Sequence, residues 1–259
     1  MTAQPDQDLR VYGSVGVDLD PASGQYTWSD ITLGELYADY YGVPLAFIRV
    51  GKFSVNWGQG RLFTPGDIMA DSDEGTAFRL SLPTMLSGIS AIALAQKDFF
   101  AEPKNPSYRE LAYGLSADLV FGYLRTGFGA RYRGAEGLRT VSSLKTVLGG
   151  TDFFTDIIFN YCDGESDFGL LSGFYRSWGN LLSYGEYYID ATIPGKIGHS
   201  VGLALGYSGL FSKPLDAGVK WLHTWQDDSG SFTAGLVWRH RSHLSISAAV
   251  PITYGAEST

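Results

Sequence analysis

The chain has 259 residues, of which 44% are hydrophobic, 14% are aromatic and 18% are charged, and its formal net charge is −8. The negative charge argues against a nucleic-acid-binding surface, and the single cysteine excludes an internal disulfide and shows no metal-ligand spacing. The sequence holds no apolar run of about 18 residues, which excludes a transmembrane helix. Because the 33 glycines and numerous aromatic residues disfavour helices, we predict one all-β domain over residues 1–259.

The first strand-like segment runs from Arg10 to Leu19 and alternates strictly between two kinds of residue. Val11, Val15 and Val17 share one face, and polar or small residues share the other. Comparable strand-like segments follow at residues 35–40, 45–52, 78–82, 123–132, 156–161, 186–193, 200–207, 219–221, 232–239 and 244–252. A two-residue period sustained over about ten residues is the length at which a tilted strand crosses a bilayer.

Aromatic residues distinguish a membrane barrel from a soluble β-sandwich. A sandwich would bury the apolar face of each strand and leave the polar face as its surface. Here tyrosine and tryptophan crowd the predicted strand ends, at Tyr40, Tyr41, Tyr132, Tyr161, Trp178, Tyr187, Tyr188, Trp221, Trp225 and Trp238. This distribution is typical of the aromatic girdles at the two interfaces of a membrane barrel.

The connections between the predicted strands alternate in length. Longer polar connections at 20–30, 54–75 and 97–108 alternate with tight ones at 41–44, 83–86 and 119–122, although both classes are short in the second half. Long outer loops and short periplasmic turns produce this alternation. About fifteen segments are strand-like, but single-chain bacterial barrels have even strand numbers. We therefore predict a single transmembrane antiparallel β-barrel of about fourteen strands, with twelve and sixteen left open.

The longest interruption of the strand pattern follows Lys52. Closely spaced glycines and a Pro-Gly turn make it unlikely that a strand continues here, and a loop of this length is usually functional. The loop at about 54–75 either folds into the lumen as a constriction or lies outside as an acidic, solvated loop. For the first alternative, the predicted constriction residues are Trp57, Gly58, Gly60, Arg61 and Asp67.

The same segment carries the pattern G-K-x4-W-G-x-G-x2-F-x-P-x-D, from Gly51 to Asp67. This pattern resembles one found in porin-like outer-membrane barrels of spirochaetes and proteobacteria, and the strand alternation resembles that class over essentially the whole chain. The resemblance implies a passive channel in a bacterial outer membrane. Such barrels usually end on an aromatic residue, whereas this chain continues for five residues after Tyr254, which a trimmed chain or an unusual last strand would explain.

Charged residues on the polar faces of the strands are the candidate pore lining. They are Arg10, Glu35, Asp39, Arg49, Arg79, Arg125, Arg131, Asp156, Glu186, Asp190, Lys220 and Arg239. Rings of fixed charge in a narrow pore set solute selectivity. In the alternative arrangement these charges pair across strands and fill a lumen that does not conduct.

Catalytic motifs give little support to an enzyme. His199, Ser200, His223, His240 and His243 are the residues to consider, yet no arrangement of them has the spacing of a catalytic triad or a zinc pair. We expect no catalytic residue, no metal and no cofactor. An outer-membrane barrel enzyme stays the minor alternative.

Acidic residues gather in the predicted outer loops, at Asp71, Asp73, Glu74, Asp163, Glu165, Asp167, Asp227 and Asp228. Asp71 to Gly75 contains part of a calcium-loop pattern without its full spacing, so fortuitous acidity is the simpler interpretation. The loops could instead bind divalent cations that bridge lipopolysaccharide.

We therefore predict a porin-like channel for passive diffusion of small hydrophilic solutes, located in the bacterial outer membrane. The N-terminus lacks the apolar segment of a signal peptide, so we expect a mature form. Its expected partners are the lipid bilayer, lipopolysaccharide and the solutes, with no nucleic acid and with homo-oligomer formation left open. A non-conducting surface adhesin or structural barrel and a soluble all-β binding protein are the rivals.

Overall fold

Strands form wherever the sequence alternates between polar and apolar residues, and they account for nearly all the regular structure in the computed structural model. The structure describes residues 2–4, 6–18, 30–69, 74–84, 87–96, 110–193, 196–240 and 244–255. Its strands are β1 (Thr2–Ala3), β2 (Leu9–Asp18), β3 (Asp30–Tyr40), β4 (Phe47–Lys52), β5 (Glu74–Pro83), β6 (Ser87–Gln96), β7 (Ala112–Phe121), β8 (Leu124–Arg133), β9 (Gly137–Leu148), β10 (Thr151–Cys162), β11 (Glu165–Trp178), β12 (Leu181–Ile193), β13 (Lys196–Tyr207), β14 (Leu215–Thr224), β15 (Ser229–His240) and β16 (Leu244–Tyr254).

The sheet order follows the chain order from β1 to β16, and a three-residue 3-10 helix, Leu210–Ser212, separates β13 from β14. Packing divides the chain into two units. The first contains Met1–Trp57, Asp67–Leu119 and Phe128–Arg139, and the second contains Gly58–Gly66, Val120–Gly127 and Thr140–Thr259. Among the described residues, no helix is long and apolar enough to cross a membrane.

In the first unit, antiparallel pairing of consecutive strands places charged residues in one row across the sheet. Arg10 pairs with Asp39, Asp39 with Arg49, and Arg49 with Arg79. Because partner residues point to the same face, these four side chains share the polar face of the unit. The buried core lies on this face as well, as Phe53, Met69, Ala77, Ile92, Leu94 and Ala112.

In the second unit, the two faces of the sheet differ in composition. Ile157, Leu203 and Leu205 are exposed on one face, together with other aliphatic and aromatic residues. The opposite face carries Asp156 on β10 and Glu186 on β12, both of which are buried. An exposed apolar face opposite a covered polar face is the reverse of what a water-soluble sandwich would show.

Tight turns in the second unit follow from residues that tolerate a positive φ. Gly149 and Gly150 join β9 to β10 with φ values of 59° and 78°, and Asp163 and Gly164 join β10 to β11 with φ values of 51° and 88°. Two successive residues with positive φ form the turn that matches the twist of a two-residue hairpin.

The structure confirms the predicted all-β architecture and the alternation of connection lengths in the first half of the chain. Connections at 19–29, 53–73 and 97–111 alternate with shorter ones at 41–46, 84–86 and 122–123. In the part of the chain that the structure describes, fifteen strands have six residues or more and the two-residue β1 makes sixteen, which is above the preferred fourteen but within the predicted range of twelve to sixteen. Fourteen followed from applying the even-number rule to about fifteen strand-like segments without counting so short a strand.

Candidate functional site

The connection between β4 and β5 packs onto the polar face of the strands rather than standing free, and residues 53–69 of it are described. Its two ends belong to the first unit. Phe53 and Met69 join the apolar cluster there, and the backbone N–H of Trp57 donates a hydrogen bond to Asp67 Oδ1 at 3.2 Å. This packing needs a glycine beneath it, because a Cβ at Gly114 would lie 2.8 Å from Trp57 Cη2 and 2.9 Å from Met69 Sδ.

The middle of the same connection, residues 58–66, belongs to the second unit and is held there by two carboxylates. Asp156 Oδ2 accepts hydrogen bonds from the backbone N–H groups of residues 59 and 60, at 2.6 and 3.3 Å. Glu186 Oε1 accepts from the N–H of Arg61 at 2.7 Å. Glu186 Oε2 accepts from residues 62 and 63 at 3.0 and 2.8 Å. Five successive backbone donors therefore end on two wall carboxylates.

Both carboxylates are buried, so they hold the segment in place in addition to carrying charge. Asp156 is 0% exposed and Glu186 is 3% exposed, so segment 58–66 covers both side chains. A buried carboxylate is tolerated only when its charge is balanced by hydrogen bonds or counter-ions, and here the backbone donors provide that balance. Both residues were predicted to line the pore, and in the structure segment 58–66 covers them.

Glycines allow the segment to approach the wall this closely. A Cβ on Gly60 would clash with the carbonyl oxygen of Phe63 and with Leu171 Cδ2. A Cβ on Gly66 would lie 3.0 Å from Asp156 Oδ2. Gly58 also has a φ of 88°, which other residues rarely adopt. The glycines predicted as part of a constriction are therefore required by contact with β10 and β11.

Arg61 projects from this anchored segment over two tyrosines on neighbouring strands. Its guanidinium carbon lies 4.6 Å from the ring centre of Tyr175 and 5.3 Å from that of Tyr184. One guanidinium N–H also donates to the Tyr184 hydroxyl at 3.1 Å. Arg61 is nevertheless exposed, so the structure offers a positively charged group whose position is restrained but whose outer side is open.

A second set of predicted residues meets in the first unit. Arg49 forms a two-point ion pair with Asp39, with Nε–Oδ1 and Nη2–Oδ2 distances of 2.7 and 3.0 Å, and its guanidinium lies 4.0 Å from the ring centre of Tyr37. Arg79, the register partner of Arg49, donates to Ser81 at 3.0 Å and to Ser90 at 3.2 Å. Arg10, the register partner of Asp39 on β2, lies at the other end of this row and is exposed.

In the first unit, the side chain of Glu35 accepts a hydrogen bond from the backbone N–H of Ser54, with an N–Oε1 distance of 3.2 Å. The side chain of Arg131 is buried and ion-paired to Glu136 at 2.8 Å in the β8–β9 turn, where Arg133 also contacts Glu136 at 2.6 Å. Burial raises the pKa of Glu136, but hydrogen bonds and charges from Arg133 and Arg131 outweigh burial, so this pKa lies below its ordinary value.

Other predicted lining residues lie in the second unit. Arg125 and Lys220 are exposed. The side chain of Arg239 is 65% exposed although it pairs with Asp216 at 2.7 Å. Asp190 lies on the polar face of β12, in register with Gly169 and Gly198.

Sequence reasoning missed the aromatic and apolar part of the site. Tyr188 packs against Phe63 at a ring-centre distance of 6.2 Å, and Tyr175 and Tyr184 lie beneath Arg61. Tyr184 and Tyr188 lie two positions before and after Glu186 on β12, so they share its face. The two-residue alternation of the sequence was enough to predict this placement. Ile92 and Leu94 could not be found this way, because they place apolar side chains on the polar face, where they cluster with Phe53 and Met69.

Two of the histidines considered as catalytic residues, His199 and His223, lie on the apolar face of the second unit. His199 Nδ1 lies 2.7 Å from the Tyr187 hydroxyl, and His223 Nδ1 lies 3.1 Å from the Tyr254 hydroxyl. Their rings stack with neighbouring aromatic residues near one end of the strands. His243 and the partial calcium pattern at Asp71 and Asp73 lie outside the described residues.

Solved structures with a similar fold include two OccK porins of Pseudomonas aeruginosa. OccK5 (OpdH) is 14% identical and gives a TM-score of 0.64 over 95% of this chain and 81% of that chain. OccK2 (OpdF), solved in complex with glucuronate, is 11% identical with a TM-score of 0.64 over 97% and 82%. No protein-family model and no curated protein sequence matches this chain. The similarity shows that this chain shares the antiparallel β fold of these proteins, and it confirms the predicted fold class.

Proposed function

We propose that the chain is an outer-membrane channel through which small hydrophilic solutes diffuse passively, without catalysis. The observation that carries this proposal is the separation of the two faces in the second unit. One face exposes aliphatic and aromatic residues, as contact with lipid requires, and the other carries charges and the 58–66 segment. In a barrel of this fold, the polar face lines the lumen, and the partners are the bilayer, lipopolysaccharide and the permeating solute.

Segment 58–66 is the proposed constriction. Its backbone is fixed to β10 and β12 by Asp156 and Glu186, so it cannot fluctuate freely as an exposed loop would. The side chain of Arg61 is the charged group that this segment presents to solution, above Tyr175 and Tyr184. A solute that passes along this face meets a guanidinium held at a fixed position.

The accessible charges on the polar faces favour anions. Arg10, Arg61, Arg125, Lys220 and Arg239 are exposed. Fewer acidic residues are accessible there, because Asp39 is buried and paired with Arg49, and Asp156 and Glu186 are buried beneath the segment. Asp118 is an exposed carboxylate on the face of Arg79. Since fixed positive charge lowers the free energy of an anion in a narrow pore, we propose a preference for anionic solutes.

Glucose and glucuronate provide a matched test, because they are similar in size and differ by a carboxylate. Glucuronate is also the ligand in the OccK2 complex. Vesicles containing the refolded protein are loaded with either radiolabelled solute, and the rate of release is measured. We expect both to leave faster than from protein-free vesicles and glucuronate to leave faster than glucose.

Release at the protein-free rate for both solutes, with insertion verified by protease protection, would instead identify a plugged barrel that works through its loops. Equal rates for the two solutes would retain the channel and remove the anion preference. A protein that stays monodisperse without detergent would belong to the soluble all-β class.

A further inference from the structure

We propose that Asp156 and Glu186 form an acid-sensitive latch, so that protonation of these carboxylates releases segment 58–66 and changes the width of the channel. This inference rests on the proposed channel function. It adds a regulatory role to residues that would otherwise serve as fixed wall charges.

The latch depends on how completely the two carboxylates are engaged. Both oxygens of Glu186 act as acceptors for the three N–H groups of residues 61–63, and Asp156 Oδ2 accepts from residues 59 and 60. Hydrogen bonds to an ionised acceptor are roughly twice as strong as bonds between neutral groups. Among the described residues, neither carboxylate takes part in a salt bridge, so the backbone donors supply the balancing positive charge.

Protonation would remove this balance at the point of contact. A proton on either Glu186 oxygen converts an acceptor into a donor that faces the donors of Arg61 or of Leu62 and Phe63. At least one backbone N–H then loses its partner inside a buried contact, which is costly. The lowest-cost response is for the segment to move away and let water satisfy its N–H groups.

The charged groups around Glu186 are Arg61 and, beyond Tyr188, two aspartates. Glu186 is flanked on β12 by Tyr184 and Tyr188, and its register partners are Gly173 on β11 and Gly202 on β13. Arg61 hydrogen-bonds to Tyr184, and Tyr188 hydrogen-bonds to Asp190 and lies near Asp167. Tyrosine and arginine keep their charge state when a neutral solution is acidified. A variant at Glu186 alone therefore separates its contribution from that of the two aspartates.

Asp156 has apolar surroundings. Its register partner on β11 is Leu171, and Phe154 and Ile158 flank it on β10. Gly66 lies close to Asp156 Oδ2, and Val141 on β9 packs against Gly66. Its second oxygen, Oδ1, is buried without a hydrogen-bond partner in the described structure, so the carboxylate depends on Oδ2 for its stabilisation.

The ends of the connection should stay in place when the latch opens. Phe53 and Met69 are held by apolar contacts in the first unit, and these contacts do not depend on pH. Acidification is therefore expected to free residues 58–66 locally, leaving the strands paired.

The test is a single-channel recording in a planar bilayer at neutral pH and at successively lower pH. We expect the wild-type protein to conduct steadily at neutral pH and to change its open-state current and current noise reversibly on acidification. Glu186→Gln has nearly the same shape but cannot titrate, so it should behave at neutral pH as the acidified wild type and should lose most of the pH response. Glu165→Gln, which alters an exposed carboxylate at the start of β11, should retain the wild-type response.

A cross-link provides a second test that leaves both carboxylates intact. A Cβ on Gly202 would lie 3.0 Å from Leu62 Cδ1, so Leu62→Cys with Gly202→Cys in a Cys162→Ser background should join the segment to β13. The oxidised protein should lose the pH response and regain it on reduction. An acid response that persists in the oxidised protein, or that is the same in Glu186→Gln and wild type, would overturn the latch. Absence of current at every pH would instead overturn the channel function.

Discussion

Glu186 and Arg61 lie in contact although 125 positions separate them, because Glu186 Oε1 accepts a hydrogen bond of 2.7 Å from the backbone N–H of Arg61. The same residue whose backbone is fixed in this way carries the exposed guanidinium over Tyr175 and Tyr184. Anchoring and an exposed positive charge are thus combined in one residue of the segment. This combination would give the proposed constriction a defined position and a defined charge.

Removal of the Arg61 charge should reduce the preference for anions. Arg61→Ala is expected to lower the anion-to-cation permeability ratio by roughly fivefold, since two unit charges about 4 Å apart in water interact by about 1 kcal/mol. Arg61→Lys keeps the charge and should preserve most of the ratio. The ratio is measured from the reversal potential in a salt gradient, and an unchanged ratio in Arg61→Ala would show that other charges set selectivity.

The contributions of Asp39 and Arg49 to the unfolding free energy should be strongly coupled. Arg49→Ala leaves Asp39, which is 2% exposed, as a buried carboxylate without its counter-ion, and we expect a loss of about 3 kcal/mol in unfolding free energy. Asp39→Ala should cost less, because the more exposed Arg49 can be hydrated. Urea unfolding in detergent of both single variants and the double variant gives the coupling energy, and a value near zero would contradict a specific pair.

Gly60 should not tolerate a side chain. Gly60→Ala places a Cβ against the Phe63 carbonyl and Leu171, so the segment must shift from Glu186 and Asp156. We expect a loss of about 1–3 kcal/mol, as for overpacked sites, together with altered conductance. Gly88→Ala is the matched control, because nothing lies within 4 Å of its added Cβ, and it should leave conductance and unfolding nearly unchanged. Equal behaviour of the two variants would contradict the close packing of the segment.

The β8–β9 turn should contribute stability that depends on pH. The pKa of Glu136 is lower in the folded protein than its ordinary value, so its interactions with Arg131 and Arg133 stabilise the fold above that ordinary value. This stabilisation is lost as the pH falls through the lowered pKa. Thermal unfolding in detergent should therefore show a steeper acid decline in wild type than in Glu136→Gln, while Glu165→Gln should follow wild type.

Sequence alternation was sufficient to predict many of the strands, their two faces and the position of the long connection, but no segment was assigned over β6, β7, β9 or β11. It also placed Arg10, Asp39, Arg49 and Arg79 on one face, because a two-residue period fixes parity within each strand. It could not supply the register that aligns these residues in one row, since register depends on turn geometry and pairing across strands.

The role of Asp156 and Glu186 could not be predicted for a different reason. Their partners are backbone N–H groups, which every residue other than proline carries, so no residue type marks the contact. The glycines at 58, 60 and 66 indicated an unusual backbone but not the strands it would touch. Ile92 and Leu94 show the same limit, because their apolar side chains on a polar face make sense only in the cluster with Phe53 and Met69.

Single-channel conductance in a planar bilayer, with a salt gradient to read the reversal potential, tests the central claim most directly. We expect discrete current steps from the refolded protein and a reversal potential of the sign that indicates anion preference. A bilayer that stays silent, with insertion of the protein demonstrated independently, would contradict the account and show that the lumen is closed.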